Sequence, residues 1–327
     1  MKGRILFALN HTQEYVSGQE LCETLGVSRT AVWKVINQLK EDGYEIASVP
    51  RKGYKTISRP DVITAEEVAS RLDTEWAGKN ISYYEMIDST NSEAGRLAQN
   101  GAESGTLVIA EEQECGKGRR GRSWVTPRGS AVAMSLILRP DIMPAHASML
   151  TLVMGMAVTS TVRERCGVDA RIKWPNDVVA NGKKICGILT EMSSEIDYIR
   201  YIVIGAGINT HVEHFPEELK NTAVSLHELT GKTPDRAALI ASCLKHFEQY
   251  YKVFLQTQDF SGLSETYNGM LAGIGEGVRV LEPSGEYTGI SEGINEKGEL
   301  LVKRENGTLE KVYAGEVSVR GIYGYSC

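Results

Sequence analysis

Residues 116–124 have the sequence Gly-Lys-Gly-Arg-Arg-Gly-Arg-Ser-Trp. The three glycines leave the backbone free to wrap closely around a ligand. The four cationic side chains supply positive charge for phosphate groups, and the closing tryptophan offers a face for stacking on a base. The stretch is not a P-loop, because it lacks the Gly-Lys-Ser/Thr ending of that motif. Taken alone, it fits a phosphate-binding loop and a flexible basic surface loop equally well.

Two further clusters lie downstream of this basic loop. The first is Lys-Trp-Pro-Asn-Asp at 173–177, which is followed by Lys-Lys-Ile-Cys-Gly-Ile-Leu at 183–189. The second is Gly-Ala-Gly-Ile-Asn at 205–209. It lacks the third glycine of a dinucleotide fingerprint, so a tight turn explains it as well as a ligand site does.

The chain around these motifs mixes strands and helices from about residue 80 to 270. Apolar runs predict strands at 106–110, 131–138, 185–189 and 201–204. Amphipathic patterns predict long helices at 145–165 and 234–256. The second helix has Pro234 at its first position and a stripe of core residues, Leu239, Ile240, Leu244, Phe247 and Phe254. Beyond it, short strands at 277–281, 287–294, 300–303 and 308–313 predict a small barrel of the SH3-like type.

The N-terminal segment has the pattern of a winged helix-turn-helix. A capping box at Ser17 begins a short helix, Gly26 ends it, and Ser28 caps a second helix. Two strands follow, at 45–49 and 53–57, with a basic tip between them. This arrangement favours DNA binding over a small helical domain that binds protein or acts as a spacer. The candidate DNA contacts lie at the cap, on the outward helix face and at the tip: Ser28, Arg29, Thr30, Trp33, Lys34, Asn37, Gln38, Arg51 and Lys52.

Charge is distributed unevenly along the chain. Residues 1–60 carry nine Lys and Arg against six Asp and Glu, which gives this segment a net charge of +3. The whole chain has a net charge of −6, so residues 61–327 carry a net charge of −9. A basic head on an acidic body indicates an anionic partner for the head. Pro60-Asp61 suits a linker, and a capping box at Thr64 begins a new helix. We expect domains at 1–60, 64–270 and 271–327.

Composition excludes several classes of protein. With 327 residues, 42% hydrophobic and 24% charged, the chain fits a soluble globular protein of two or three domains. No run of 18 apolar residues predicts a membrane span, and the apolar run at 5–9 is too short for a secretory signal. The six cysteines form no Cys-x-x-Cys pair, which disfavours a zinc site and a disulfide framework and favours a reducing cytoplasm.

In this order, the motifs resemble those of the biotin protein ligases. The resemblance runs through Asp-Ser-Thr-Asn at 88–91, the basic loop, Lys-Trp-Pro-Asn-Asp, Lys184 and Gly-Ala-Gly-Ile-Asn, and it covers essentially the whole chain. The helix-turn-helix indicates the bifunctional bacterial form, ligase and biotin-operon repressor in one polypeptide. The resemblance implies an α+β protein with a winged helix-turn-helix, a central mixed-sheet α/β catalytic domain of the class II synthetase-like type and a C-terminal SH3-like β-barrel.

The resemblance also implies an activity and its partners. The enzyme would join biotin to ATP, giving biotinyl-5′-adenylate and pyrophosphate, and then transfer biotin to a lysine of a biotin carboxyl carrier protein, a subunit of acetyl-CoA carboxylase. Mg²⁺ would assist the first step. The further partners would be operator DNA and a second copy of the chain, with no membrane, in the cytoplasm.

Site residues carry over from the family position by position. The implied biotin site comprises Ser89, Thr90, Asn91, Gln113, Lys117, Arg119, Arg120, Gly121, Lys184, Gly187, Gly205 and Gly207. The implied ATP site comprises Arg119, Arg122, Trp124, Asn176, Asp177, Lys184, Asn209 and Arg320. Lys184, Arg119 and Lys117 would be the catalytic residues, and Asp177 would lie by the metal ion.

The chemistry of these residue types agrees with that assignment. Thr-Asn-Ser-Glu at 90–93 is another capping box, so Ser89 and Thr90 lie at a helix N-terminus, where amides and hydroxyls bind a polar ureido group. Adenylation needs no protein nucleophile, because the biotin carboxylate attacks the α-phosphate. The protein brings two anions together, which suits clamps of Lys and Arg with a metal ion.

One residue departs from the family pattern, and two alternatives to the ligase-repressor stay open. Many relatives have arginine at the position of Lys117, and lysine keeps the charge but loses the bidentate fork. The alternatives are a ligand-sensing repressor with a vestigial ligase site and a lipoyl ligase. The intact loop and Lys184 disfavour the first, and the helix-turn-helix and this form of the loop disfavour the second.

Overall fold

The computed structural model describes residues 1–12, 14–282, 285–314 and 318–321. The N-terminal elements, up to the end of a strand at residue 58, are here called the head. The head contains three helices followed by a two-stranded antiparallel sheet: α1 (Lys2–Asn10), α2 (Gly18–Leu25), α3 (Arg29–Glu41), β1 (Glu45–Val49) and β2 (Gly53–Ser58). This is the predicted winged helix-turn-helix.

The caps predicted for the head are present. The Ser17 side chain accepts a hydrogen bond from the Glu20 amide, and the Ser28 side chain accepts one from the Ala31 amide. Gly26 ends α2 with a φ of 67°, a left-handed conformation that glycine adopts without strain. Helix α1 has no counterpart among the predicted elements. Its buried residues Ile5, Leu6 and Leu9 complete the apolar core of the head.

A short helix, α4 (Ala65–Ala69), follows the linker and begins where the sequence predicts it. The Thr64 hydroxyl caps it by accepting the Glu67 amide at 3.3 Å. This helix packs against α1 on one side and against the central domain on the other. It therefore lies between the head and the central domain.

The central domain is built on one seven-stranded mixed sheet with the strand order β3-β4-β5-β9-β8-β7-β6. The β3–β4 pair is parallel and the other pairs are antiparallel. The strands are β3 (Ile81–Ile87), β4 (Leu107–Gln113), β5 (Ala131–Leu138), β6 (Arg171–Lys173), β7 (Asp177–Ala180), β8 (Lys183–Ser194) and β9 (Ile199–Asn209). The predicted strands all lie in this sheet.

Helices cover both faces of the sheet. On one face, α5 (Thr90–Gln99) packs on Val108, Ile137 and Val203. The other face carries α6 (Met149–Cys166) and α8 (Arg236–Thr257), which pack against each other. The segment 144–166 is long and apolar enough to span a membrane, but 72% of its apolar 18-residue window is buried inside the protein, as in a core helix. Two short helices complete the domain, α7 (Leu226–Thr230) and α9 (Ser264–Met270).

One local prediction is wrong, and one alternative that the sequence leaves open is excluded. Helix α8 begins at Arg236 rather than at Pro234, because the Asp235 carboxylate accepts the Ala238 amide at 3.0 Å and makes Asp235 the cap. The Gly-Ala-Gly-Ile-Asn segment is not a tight turn. It belongs to β9, where β5 pairs with it on one side and β8 on the other. The predicted core stripe of α8 is buried.

The C-terminal segment forms a five-stranded antiparallel sheet with the order β13-β12-β11-β10-β14. Its strands are β10 (Gly277–Glu282), β11 (Gly285–Ile294), β12 (Leu300–Lys303), β13 (Leu309–Val312) and β14 (Ser318–Gly321). The four predicted strands are present, with one at its predicted bounds and the others with at least one end shifted by one or two residues. The SH3-like closure of this sheet stays a prediction, and so do the three domain boundaries. Residues 283–284, 315–317 and 322–327 of the predicted domain lie outside the described residues.

Candidate active site

The N-terminus of α5 faces the end of β4. The Thr90 amide and hydroxyl both lie within hydrogen-bond distance of Gln113 Oε1, at 2.9 and 3.0 Å. Gln113 Nε2 donates in turn to the Thr126 hydroxyl at 3.1 Å. Ser89 caps the helix, with its hydroxyl 3.5 Å from the Ser92 amide. Three of the predicted biotin residues therefore meet at one helix N-terminus.

Two residues that the sequence did not indicate, Ser135 and Glu191, contact Thr90 and Asn91 of this cluster. Ser135 on β5 is fully buried, and its hydroxyl lies 2.8 Å from Thr90 Oγ1 and 2.7 Å from Asn91 Oδ1. Asn91 Nδ2 donates to Glu191 Oε2 on β8 at 2.7 Å. The available signal was the single hydroxyl of Ser135 in an otherwise apolar strand, since a buried hydroxyl needs a polar partner.

Gly205 lies where β9 passes directly over Asn91. A Cβ at this position would lie 2.0 Å from Asn91 Oδ1, far inside van der Waals contact. The predicted biotin residue Gly205 therefore leaves room for the Asn91 amide and for the hydrogen bonds that fix it.

Gly205→Ala is expected to lower the free energy of unfolding by about 1–3 kcal/mol, as overpacking a fixed side chain does. It should also weaken biotin binding, because a displaced Asn91 no longer holds Ser135 and Thr90 in place. Urea unfolding and biotin titration measure the two effects. The matched control is Gly95→Ala within α5, where a Cβ would meet nothing within 4 Å. An unchanged biotin affinity in Gly205→Ala would contradict this role.

The basic loop folds back on itself as a small hairpin. Lys117 and Ser123 form an antiparallel bridge, and the Trp124 amide donates to the Gly116 carbonyl at 2.8 Å. Arg120 and Gly121 make the turn, with φ of 60° and 71°. The exposed tip carries Arg120, Gly121 and Arg122, whereas Arg119 points inward and is half-buried.

Arg119 contacts the second predicted cluster. Its Nη1 donates to Asn176 Oδ1 at 2.6 Å, although 57 residues separate the two in the sequence. Burial lowers the pKa of Arg119, and the charge of Asp177 opposes that shift. An inward arginine in this setting is poised to bind an anion that enters the site.

Lys184 and Asp177 form the charged centre of the site. Lys184 Nζ lies 2.6 Å from Asp177 Oδ1, and Lys173 Nζ lies 3.9 Å from Asp177 Oδ2. The backbone of Lys184 is tied to the segment 222–224. Asn209 strengthens that tie, because its Nδ2 lies 3.4 Å from both the Lys184 and the Val224 carbonyl oxygens.

Trp124 lies on the glycines of the two central strands. A Cβ on Gly207 would lie 2.5 Å from Trp124 Cε2, and one on Gly187 would lie 3.0 Å from Trp124 Cζ3. The Lys184 ammonium is 5.4 Å from the centre of the indole ring. The indole nitrogen Nε1 is buried and has no hydrogen-bond partner among the described residues. Because the two glycines have no side chains, they leave a flat surface against which the indole ring packs.

Two cavities adjoin at this point and share one wall. The smaller, of about 50 Å³, is lined by the α5 N-terminus and the glycines of β8 and β9. The larger, of about 390 Å³, extends toward the C-terminal sheet and is lined by Arg120, Arg122, Asp177, Asn209 and Arg320. The residues that border both cavities are Gly118, Arg119, Trp124, Asn176 and Lys184.

The larger cavity has a side that sequence reasoning missed. Its lining includes Val212, His214, Phe215, Pro216 and Leu219, from the segment after β9. No motif marked this segment, because its residues are of ordinary apolar and polar types. The predicted biotin residue Arg120 lies at this cavity and not at the smaller one.

The predicted DNA contacts lie together on the head. Trp33 is 57% exposed, and Arg29, Thr30, Lys34 and Gln38 are exposed on the same helix. Asn37 is half-buried, and Ser28 acts as the cap. Arg51 and Lys52 are exposed at the tip between β1 and β2. The recognition helix and the wing therefore present an exposed basic surface.

Comparison with known proteins identifies three family regions. Residues 3–55 match an HTH domain, residues 83–209 match the biotin/lipoate A/B protein ligase family, and residues 273–320 match the biotin protein ligase C-terminal domain. The chain is 40% identical over 308 residues to the bifunctional ligase/repressor BirA of Bacillus subtilis, covering 94% of each protein. It is 32% identical to BirA of Escherichia coli, covering 96% of each.

The fold agrees with a solved structure. The biotin protein ligase from Aquifex aeolicus in complex with biotin and ATP superposes with a TM-score of 0.66 at 32% identity. The match covers 74% of this chain and 99% of the Aquifex chain. With the helix-turn-helix head in addition, the chain belongs to the biotin protein ligase family, among the bifunctional ligase/repressors.

Proposed function

We propose that this protein is a biotin protein ligase that forms biotinyl-5′-adenylate from biotin and ATP and transfers biotin to a lysine of a biotin carboxyl carrier protein. The observation that supports it most directly is the wall shared by the two cavities. Arg119 and Lys184 border both, so a carboxylate in the smaller cavity and a phosphate in the larger one meet beside the same two cations. Such a wall suits a reaction that joins two anions.

The first step requires positioning and charge rather than a protein nucleophile. A carboxylate oxygen of biotin attacks the α-phosphorus, the new bond to phosphorus forms, and the bond to the β-phosphate oxygen breaks to release pyrophosphate. Lys184 and Arg119 balance the negative charge that gathers in the transition state. The Asp177 carboxylate beside Lys184 holds the ammonium in the site while the substrates are absent.

Asp177 fits the family's Mg²⁺ site as one protein ligand. Among the described residues, no three His, Cys, Asp or Glu side chains cluster as a metal cage. Mg²⁺ bound to ATP commonly uses one or two carboxylates together with phosphate oxygens, and Asp177 lines the larger cavity. When bound, the ion would neutralise charge on the triphosphate.

Trp124 rests on Gly187 and Gly207, which line the smaller cavity, so the indole occupies space that biotin would enter. We therefore infer that the indole leaves this position when biotin binds and that Trp124 then covers the adenine from the other side of the shared wall. The remaining predicted site residues keep the roles that the family resemblance gives them.

The head adds a second activity. Its exposed recognition helix and wing suit binding to operator DNA, and a two-fold symmetric operator would be bound by a homodimer. The protein would then act in the cytoplasm as a biotin-dependent repressor.

One assay separates this function from its alternatives. The protein is incubated with ATP and either biotin or lipoate, and released pyrophosphate is measured. Release with biotin alone supports the ligase, release with lipoate alone supports a lipoyl ligase, and no release supports a repressor with a vestigial site. Transfer of biotin to an added unbiotinylated carrier domain tests the second step.

Arg119→Gly is expected to make the protein release its adenylate. The variant loses the inward guanidinium that contacts Asn176, so it holds the adenylate phosphate less tightly. Adenylate release is detected by avidin blot, as biotin attached to the lysines of an unrelated bystander protein. Arg128→Gly, at a 57% exposed arginine outside the loop, is the control. A variant that loses activity without labelling the bystander would contradict a retention role.

Biotin and ATP are expected to shift the monomer–dimer equilibrium toward the dimer. A net charge of +3 on one head gives modest affinity for DNA, whereas two heads on one duplex gain through effective concentration. The adenylate favours the dimer only if it binds the dimer more tightly. Sedimentation with and without both ligands measures the shift, and a gel-shift assay uses duplexes selected from random DNA. A monomer–dimer equilibrium that both ligands leave unchanged would refute the coupling. Added carrier domain is expected to reverse the shift toward the dimer.

A further inference from the structure

The first arginine of the recognition helix is held by a glutamine of the helix before it. Arg29 is the first residue of α3, and Gln19 is the second residue of α2. Arg29 Nη2 donates to Gln19 Oε1 at 2.9 Å. Both residues are exposed, and the turn at Gly26 separates them in the sequence. The contact therefore joins the two helices of the motif on the surface that carries the candidate DNA contacts.

Glu23 fixes the orientation of the Gln19 amide. Gln19 Nε2 donates to Glu23 Oε1 at 2.6 Å, one helical turn further along α2. An ionised carboxylate only accepts hydrogen bonds, so it binds the NH2 group of the amide and turns the carbonyl oxygen toward Arg29. In the reverse orientation, the amide NH2 group and the guanidinium would be two donors facing each other. Glu23, Gln19 and Arg29 thus form a chain of hydrogen bonds with one direction.

A guanidinium held in this way still offers a fork to a ligand. Arginine has five N–H groups, and the bond to Gln19 uses one hydrogen of Nη2. The second hydrogen of Nη2 and one of Nη1 form a planar fork that matches two neighbouring acceptors. In the major groove, guanine presents two such acceptors, N7 and O6, whereas adenine presents an acceptor beside a donor. The fork of Arg29 therefore suits guanine.

The place of Arg29 in the motif favours a base edge over a phosphate. The N-terminal residues of a recognition helix reach base edges in the major groove, while the preceding helix crosses the DNA backbone. An arginine that only neutralises phosphate charge gains little from a fixed orientation, because that contact carries no sequence information. A bidentate contact does gain from it, since a side chain that is already ordered loses less entropy on binding.

We propose that Gln19, oriented by Glu23, positions Arg29 to read one guanine in each half-site of the operator. This inference rests on the DNA-binding part of the proposed function. It goes beyond that function because it names the base that is read and a residue outside the candidate DNA contacts. Gln19 is a positioning residue, which acts on the DNA through Arg29.

Gel-shift assays of the full-length protein with biotin and ATP test this assignment. Duplexes are first selected from random DNA by the wild type, and each base pair of the selected duplex is then replaced in turn. Replacing one G·C pair of a half-site by A·T is expected to weaken wild-type binding by about 5–150-fold, the worth of a bidentate base contact. At the same position, 7-deazaguanine, which lacks the N7 acceptor, is expected to weaken binding as well.

Variants of the head separate base reading from charge. Arg29→Ala is expected to bind without preference at that position, and Gln19→Ala to lose most of the preference there while the other positions keep theirs. Gln19→Glu is expected to retain it, because a carboxylate also accepts from Arg29. Thr24→Ala, at another exposed residue of α2, is the matched control and should behave as wild type. Lys34→Ala, on the recognition helix, should weaken binding to all sequences equally, as loss of a phosphate contact does.

The outcomes separate the inference from the function on which it rests. If the folded wild type selects no duplex from random DNA, the DNA-binding function is wrong, and the inference falls with it. If a duplex is selected but Gln19→Ala keeps the wild-type preference at every position, the inference alone is wrong. It is also wrong if Gln19→Ala weakens binding equally at all positions, or if the base pair that depends on Arg29 contains no guanine. Circular dichroism checks that each variant is folded.

Discussion

Lys184→Ala is expected to lower the rate of biotin-dependent pyrophosphate release by about 10²–10³, the typical cost of losing one preorganised group that stabilises the transition state. Lys184 is the ammonium at the wall between the two cavities, and it is already oriented by Asp177 at 2.6 Å. Without it, two anions approach each other with less positive charge between them. Pyrophosphate release at saturating biotin and ATP measures the effect.

The neighbouring residue supplies the control for this experiment. Lys183 lies on the same strand, next to Lys184, and is also half-buried. Since successive side chains of a strand point to opposite faces, Lys183→Ala removes an equal charge without touching the shared wall. It is expected to keep wild-type activity. A folded Lys184→Ala protein that releases pyrophosphate at the wild-type rate would disprove the catalytic assignment.

Arg236→Met is expected to cost about 3–5 kcal/mol of unfolding free energy, as does removal of one partner from a buried ion pair. Arg236 is 2% exposed and is hydrogen-bonded to Glu111 and Asp61. Methionine is similar in length but leaves the Glu111 carboxylate, which is 6% exposed, without its cation. Urea unfolding followed by circular dichroism measures the loss.

Two companion variants make this second prediction specific. Arg171→Met removes an arginine that is 51% exposed and paired with Asp169, and it should change stability by no more than about 0.5 kcal/mol. The double variant Arg236→Met with Glu111→Gln removes the stranded charge and should recover part of the loss. If the loss of unfolding free energy in the double variant equalled the sum of the losses in the two single variants, the buried charge would not be the cause.

The elements that the sequence predicts well are those whose signals are local. Ser17, Ser28 and Thr64 each act within three residues of their position, and the structure contains all three caps. The order of the basic loop and the two clusters along the chain likewise indicates the family without information on contacts between distant residues. Helix α1 escaped prediction because its apolar residues form one unbroken run at 5–9 without helical spacing, and the helix is stabilised by packing on α3 and α4.

The features that escaped prediction depend on contacts between distant residues. Ser135 matters because α5 brings Thr90 to it across 45 residues. Gly205 matters because β9 passes over Asn91, and a sequence pattern cannot distinguish that approach from a turn. The charge pair between Glu111 and Arg236 spans 125 residues, and both residue types are usually solvent-exposed.

The two apolar cores become complete at different moments of synthesis. Among the described residues, the core of the head is formed between Ile5 and Tyr54, so it can form while most of the chain is not yet synthesised. Strand β5, by contrast, is buried along its whole length and pairs with β9. Ala131 therefore cannot pair until Asn209 has been synthesised. Chains emerge from the ribosome at about 5–20 residues per second, which leaves this apolar strand without its partner for several seconds. A nascent chain arrested between these positions would carry a finished head and an aggregation-prone body, so chaperone dependence should arise from the sheet and not from the DNA-binding domain.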